Sequence, residues 1–499
     1  MDMPFRGSGR FFFDGADHGL ILPVAVIALA AILLFVPFNL GVNVPAFLLA
    51  LYIVVFSYQG RAGSESDRGS IYLLLLVLIG ILPFLLYDTS PFRILQFVLL
   101  CFCVLFQIYT MYGRRYYKQL FSEDWLFDAI NGIFVMPLAN FPVLFRALSA
   151  LPKEKKALNY TLLSVFGFLF APALTVYLTH AYRAHALGIA AAIIGGAALF
   201  FFLCAYLYGF LYGCRRAVNT SLLKKPAPEK IRRVPVWISI ALLSILCIAC
   251  AAYLVLQGGY LIPAVSGRME AADVAEYARR GFLELCGVVL LNLACILFTA
   301  IFTHVHTPKP DPETGRVRSA SPAVLALIIA LSILSILLIL TALVKMVLYM
   351  HTYGLTTNRI ITSVFMIGLI IVCLIILARA FSPHVRLVRS ISIAAVTLFL
   401  VLCFADCDYL ALSYNRTAYL EGRLPGFDIE MLYQSSDSIV PVMIDVYENS
   451  SGQVRTDAKA FLDHYIARYD DTLGKARSFN IASYNAHNKY IEWAEGTDT

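Results

Sequence analysis

Charge is scarce in this sequence. Asp, Glu, Lys and Arg supply only 14% of 499 residues, where a soluble chain of this length carries about 25%. That scarcity argues against a soluble, multi-domain protein. The charges that exist avoid the middle of every long apolar run. A coupled ion or proton transporter places ionisable groups near the bilayer midplane, so their lack counts against that class. Catalytic signatures are missing too: no Walker A loop, H-E-x-x-H, G-x-S-x-G or H-x-x-x-H occurs. No catalytic residue, metal ligand or cofactor is therefore expected. Cysteine is absent from 408–499 altogether, so that stretch folds without disulfides. The eleven cysteines lie at or before Cys407, nearly all within apolar runs. There Cys247 and Cys250 read as small packing groups rather than a redox pair. His304 and His306 have no acid or cysteine beside them and read as a solvated loop; His180 and His185 are equally weak.

What remains is apolar. Hydrophobic residues make up 60% of the chain, the mean hydropathy is +0.76, and the apolar residues come in blocks of about twenty, the length that crosses a hydrocarbon core. The pattern predicts an all-α, polytopic transmembrane helical bundle of about eleven spans, near 19–37, 41–58, 70–87, 92–112, 160–179, 188–212, 235–256, 282–303, 323–347, 360–379 and 390–406. "MDMPFRGSGRFFFDGADHGL" lacks a cleavable signal-peptide pattern, and the first span is expected to be retained.

Orientation follows from Lys and Arg in the loops. With the N-terminus inside, 24 of the 39 basic residues fall in inner segments and seven in outer loops. The expectation is N-in and C-out, in a cytoplasmic (plasma) membrane. The organisation is a cytoplasmic N-terminus (1–18), a four-span region (19–113), a cytoplasmic interfacial segment (114–158), a seven-span region (159–407) and a small extracytoplasmic helical C-terminal domain (408–499). The net charge of +7 is not a nucleic-acid signature, because the basic residues cluster in short loops.

Two stretches are read as non-spanning. "QLFSEDWLFDAINGIF" places apolar residues at 121, 125, 126, 129, 130, 133 and 134 on one helical face, with Asp124, Asp128 and Asn131 opposite and Pro137 and Pro142 breaking it afterwards. This predicts an interfacial helix, or a connector resting on the bundle. In the tail, "TDAKAFLDHYIARYDDTL" puts Phe461, Tyr465 and Tyr469 on one helical face, and "SIVPVMIDVYEN" reads as another helix.

Polar chemistry gathers at the outer rim. Glu276, Arg280 and Glu284 stand at i, i+4, i+8 and would form a ladder of two ion pairs; Arg279 points elsewhere. "KMVLYMHTYGLTTNR" adds Lys345, Arg359 and Gly354, a glycine suited to a helix C-terminus, with Thr356 or Thr357 as a cap. Two readings stand. In one, Arg279 and Arg359 pair with Asp406 and Asp408 and hold the tail on the bundle. In the other, the rim is an anion site for a lipid headgroup, a peptidoglycan fragment or a partner peptide. Asp88 and Asp406 could serve a membrane enzyme, but no motif surrounds them. Mid-span polarity is limited to Asn292, Gln96 and Gln107. These fit interhelical hydrogen bonds, or the lining of a transporter or lipid flippase.

"EYARRGFLEL" before a span and "YMHTYGLTTNRI" opening the next outer hairpin resemble a bacterial membrane family, domain of unknown function 4173. The tail's "YNRTAYLEGRLPGFDIEMLYQSSDSIVPVMIDV" and "ARSFNIASYN" resemble that family's closing segments, over about 230–490. Pro425-Gly426 departs from its pattern. The resemblance implies a bacterial cytoplasmic membrane and no established activity, and it supplies no site residues. The function expected is a non-enzymatic cell-envelope protein that docks a partner through 408–499 or senses an envelope ligand. Its remaining partners are membrane lipids.

Overall fold

The structure is a computed structural model and describes residues 13–35, 40–59, 68–88, 93–116, 120–121, 124–179, 186–220, 222, 234–266, 282–303, 321–382, 384–424, 429, 432–433, 435–472 and 479–497. Among them every regular element is helical; the sole β-type pairing is an isolated bridge between Val234 and Thr303. Hydrocarbon offers backbone groups no water, so long apolar runs must satisfy their own N–H and C=O groups, which a helix does. The chain falls into two compact units, 1–120 with 124–224 and 469–484, and 121–123 with 225–468 and 485–499.

The first unit contains α1 (Gly15–Phe35), α2 (Asn43–Gln59), α3 (Arg68–Leu86), α4 (Arg93–Met111), the bent pair α5 (Trp125–Ala139) and α6 (Val143–Ser149), α7 (Lys155–Tyr177) and α8 (Ala186–Arg216). Its centre is α8, which packs on α1, α5, α6 and α7. Small residues permit that closeness. A Cβ on Gly209 would meet the Pro137 carbonyl at 2.9 Å, and one on Gly213 would meet Asn140 Nδ2 at 2.5 Å. These two glycines form a G-x-x-x-G face on which α5 rests.

The second unit contains α9 (Val236–Val265), α10 (Phe282–Phe302), α11 (Pro322–Tyr353), α12 (Thr357–Phe381), α13 (Leu387–Phe404), α14 (Cys407–Leu420), α15 (Val440–Asn449), and most of α16 (Gly452–Thr472) and of α17 (Ile481–Thr497). Here α11 is central and packs on α9, α10 and α12; α12 in turn carries α13 and α14.

Ten of these helices are long and apolar enough to cross a membrane. They match ten of the eleven expected spans, and the eleventh, α2, is a 17-residue apolar helix. The protein is a multi-pass membrane protein. One local expectation is corrected: Pro137 does not break its helix. A proline lacks the N–H that would bond the carbonyl four residues back, and its ring crowds that carbonyl. In α5 the backbone widens into a π-helical turn over Asn131–Val135. The Tyr206 hydroxyl donates to the Ile133 carbonyl at 2.6 Å, replacing the missing donor. The bend between α5 and α6, 41°, falls instead at Asn140–Pro142.

Of the aromatic face expected over 461–469, the side chain of Tyr469 lies outside what the structure describes. Phe461 and Tyr465 of α16 are buried. Tyr465 meets Tyr490, Tyr490 meets Trp493, and Trp493 meets Tyr447 edge-on, fastening α17 to α15 and α16.

Candidate functional site

Of the expected rim, Glu276, Arg279 and Arg280 lie outside the described residues. Glu284 stands exposed in the first turn of α10. Within its electrostatic reach is Lys345, a lysine of α11 that is only 2% exposed.

The described remainder of the rim forms a clasp between the tail and the turn joining α11 to α12. Gly354 ends α11 at φ +77° and ψ −178°, a conformation open to little but glycine. A Cβ there would also stand 2.6 Å from Asn415 Oδ1. The Asn415 side chain of α14 accepts from the Leu355 N–H at 2.6 Å and donates to the Leu355 carbonyl at 2.8 Å. It thereby closes both backbone groups of the turn. Two helix turns earlier on the same face, Asp408 is 5% exposed. It accepts from the Thr357 hydroxyl and, at 2.8 Å, from the Ser436 N–H. Ser436 in turn caps the short helix before α15. Burial pushes the Asp408 carboxyl above its usual range, with a small addition from Asp406, against the pull of those two donors. Burial also pushes the neighbouring Cys407 thiol up to about 11, beside Asp408 and Asp406, so it stays protonated at neutral pH.

The arginine–aspartate pairing expected here takes another form. Arg359 donates to the carbonyls of Gly354 and, at 3.2 Å, Tyr353, and lies over the Tyr349 ring. It caps the end of α11 rather than Asp406 or Asp408. Asp406 caps α14 through the Tyr409 N–H at 3.1 Å. Thr356 occupies the N-cap position of α12 without a side-chain bond.

Mid-span polar residues fall in both units. In the first, Gln107 accepts from the Tyr52 hydroxyl at 2.9 Å and donates to Ser70 at 3.1 Å. Gln96 is buried, and its amide has no hydrogen-bond partner among the described residues. In the second, Asn292 is fully buried and donates to Ser335 Oγ at 3.0 Å, with the Cys250 sulfur beside it. Two of the three polar mid-span residues thus join helix to helix.

Sequence reasoning missed a dense polar cluster. Asp14 and Asp17 form a capping box at the start of α1. Asp17, with no exposed surface, accepts from the Tyr58 hydroxyl at 2.6 Å and pairs with Arg215 and Arg216 at the end of α8. Asp14 pairs with the same two arginines, each at 2.9 Å. The Arg215 guanidinium lies over the Tyr58 ring, and the Tyr208 hydroxyl donates to the Asp17 carbonyl at 3.0 Å. Burial alone would raise Asp14, but the Asp17 N–H and the arginines outweigh it and hold its carboxyl below the usual range. The signal was present as D-x-x-D before one apolar run and Arg-Arg after another. Counted only as loop charge, the arginines concealed their partners. This knot ties α1, α2 and α8.

Among the described residues, no group of three or more His, Cys, Asp or Glu could hold a metal ion. Residues 22–446 match the model of a family described as "Domain of unknown function (DUF4153)". The number differs from that of the family whose motifs the sequence resembles, though both are membrane families without an assigned activity. No curated protein and no solved structure matches.

Proposed function

The chain belongs to the family described as domain of unknown function (DUF4153), and on that premise we propose a non-enzymatic sensor or docking protein of the cytoplasmic membrane. Its C-terminal helices engage an envelope ligand or protein partner, and the engagement acts on the membrane helices through the turn between α11 and α12. The clasp carries this reading. Asn415 and Asp408 engage that turn by three hydrogen bonds, and α11 is the helix on which α9, α10 and α12 all pack. A displaced α14 therefore pulls on the centre of its unit.

The reading takes the N-terminus as inside and the tail as outside. Within the first unit, Asp17 stands at one end of α1 beside Tyr58 and Arg216. At the other end of the α1–α2 hairpin the Val42 N–H donates at 3.1 Å to the carbonyl of Phe479, a residue of the same unit. Asp17 and the end of α1 at Phe35 are about 27 Å apart at 1.5 Å per residue, which supports opposite sides. The test is crosslinking pull-down with 408–499 removed. Loss of partner capture is expected, and undiminished capture would overturn the reading.

One observation favours transport of a lipid or apolar solute instead: inside a span, the Gln96 amide has no hydrogen-bond partner among the described residues. Substituting Gln96 by Leu would abolish such transport in vesicles and leave partner capture unchanged.

A further inference from the structure

The bent pair α5–α6 is built the wrong way round for a helix lying in water against a bundle. Leu126, Phe134, Leu138 and Phe145 are each at least half exposed, while Asp128, Asn131 and Asn140 are at most 2% exposed. Exposed apolar and buried polar side chains are the pattern of a segment whose surroundings are hydrocarbon. The buried side is accordingly bonded. Asp128 accepts from the Tyr116 N–H at 3.0 Å. Asn140 donates to the Val218 carbonyl at 3.1 Å and accepts from Asn219 at 2.9 Å. Tyr206 serves the carbonyl that Pro137 leaves free.

Depth and direction follow from the neighbours. Trp125 packs against Phe102 and Phe106 of α4. Those residues lie five to nine positions before α4 ends at Met111, or about 8–13 Å inward at 1.5 Å per residue. That is deeper than most of the 5–10 Å reached by a helix resting at the headgroup boundary. The outer side continues the lipid-type surface of α8, where Phe141 meets the half-exposed Phe202.

Entry and exit are at one end of the unit. On the entry side, Arg114 donates to the carbonyls of Cys214 and Arg215 at the end of α8. On the exit side, α7 runs antiparallel to α8. A Cβ on Gly196 would touch Thr175 and Ala171, and one on Gly167 would touch Phe200 and Phe201. Extending both helices at 1.5 Å per residue sets Lys155 level with roughly residue 212, again the end of α8.

We infer that residues 125–149 form a re-entrant helical pair, entering and leaving the membrane on one face, with its outer side covered by lipid acyl chains. The sequence expectation of an interfacial segment is thereby revised in depth and in the sense of its faces.

The test uses full-length protein in phosphatidylethanolamine–phosphatidylglycerol vesicles. A benzophenone amino acid is placed singly at Phe134, Leu138 and Phe145, at Val98 of α4 as the lipid-facing reference, and at exposed Lys155 as the aqueous one. Irradiation should yield lipid adducts at the first three, matching Val98, and none at Lys155. Separately, Tyr116→Cys and Lys155→Cys should react with an impermeant maleimide from the same side of sealed vesicles. Absence of adducts at all three positions would show a water-facing pair, and labelling from opposite sides would show a broken span. Either result overturns the inference.

Discussion

Replacing Asn415 by Ala should loosen the turn at Leu355 and little else. The side chain makes two bonds to that one residue, at 2.6 and 2.8 Å. Each such bond contributes about 1 kcal/mol net, so losing both costs about 2 kcal/mol, or about 30-fold in the local opening equilibrium. Leu355 is half-buried, so water can reach the released groups and the cost stays near that figure. Asn415→Asp keeps the acceptor for the Leu355 N–H and loses the donor to its carbonyl, which predicts a loss of about 1 kcal/mol, or about fivefold. Hydrogen exchange of the Leu355 amide in nanodiscs, resolved by fragmentation, reads the effect directly. Protection should fall in the order wild type, Asp, Ala. Unchanged protection in the Ala variant would mean that the turn holds itself, and a clasp that transmits nothing could not link the tail to α11.

Three further outcomes are expected. Burial raises Asp408, so between the ordinary carboxylate range near pH 4 and the raised value the folded chain binds more protons than the unfolded, and this group's contribution to stability falls as pH rises; the melting temperature of Asp408→Asn minus that of wild type should therefore grow as pH rises above about 4 and level off once the folded carboxyl has ionised, and a flat difference would refute the shift. Gly209→Ala brings a Cβ against the backbone carbonyls of Pro137 and Asn140 at 2.9 and 3.0 Å and should cost about 1–3 kcal/mol as overpacking, whereas Gly195→Ala, with open space around it, should be neutral or slightly stabilising in the same thermal assay. Asp17→Asn should cost about 2–3 kcal/mol, less than the 3–5 of a fully enclosed ion pair because the arginines are partly exposed; detergent unfolding monitored by tyrosine and tryptophan fluorescence would check it, and wild-type stability would mean that the knot is ornamental.

The membrane class could be read in the sequence because hydrocarbon leaves the backbone one solution, and a run such as Pro322–Tyr353 admits no competing structure. Pairings were less accessible. Asn292 stands out as a polar residue in an apolar run, but nothing local names Ser335 or Cys250 as its neighbours. Opposite charge offers Asp406 and Asp408 as partners for Arg359, whereas the turn carbonyls and the Thr357 hydroxyl lie closer to them. Periodicity divided 121–134 into two faces, and the medium around the helix decided which one turned outward. The Asn415 clasp was hidden for a plainer reason. An amide that replaces backbone partners looks like any other asparagine until its turn is known.

The Asp17–Arg216 bond joins residues 199 positions apart, which bears on how the chain is made. At 5–20 residues per second, α1 waits about 10–40 s during synthesis for its cationic partners to emerge. Through that interval two carboxylates hang uncompensated at the end of the first helix, where aqueous solvation must hold them. Arrival of α8 lets Asp17 leave water and locks the earliest helix to one of the latest of its unit. Ribosome-bound intermediates halted before residue 215 should therefore show α1 still extractable or shifting in depth, with firm anchoring gained in a single late step.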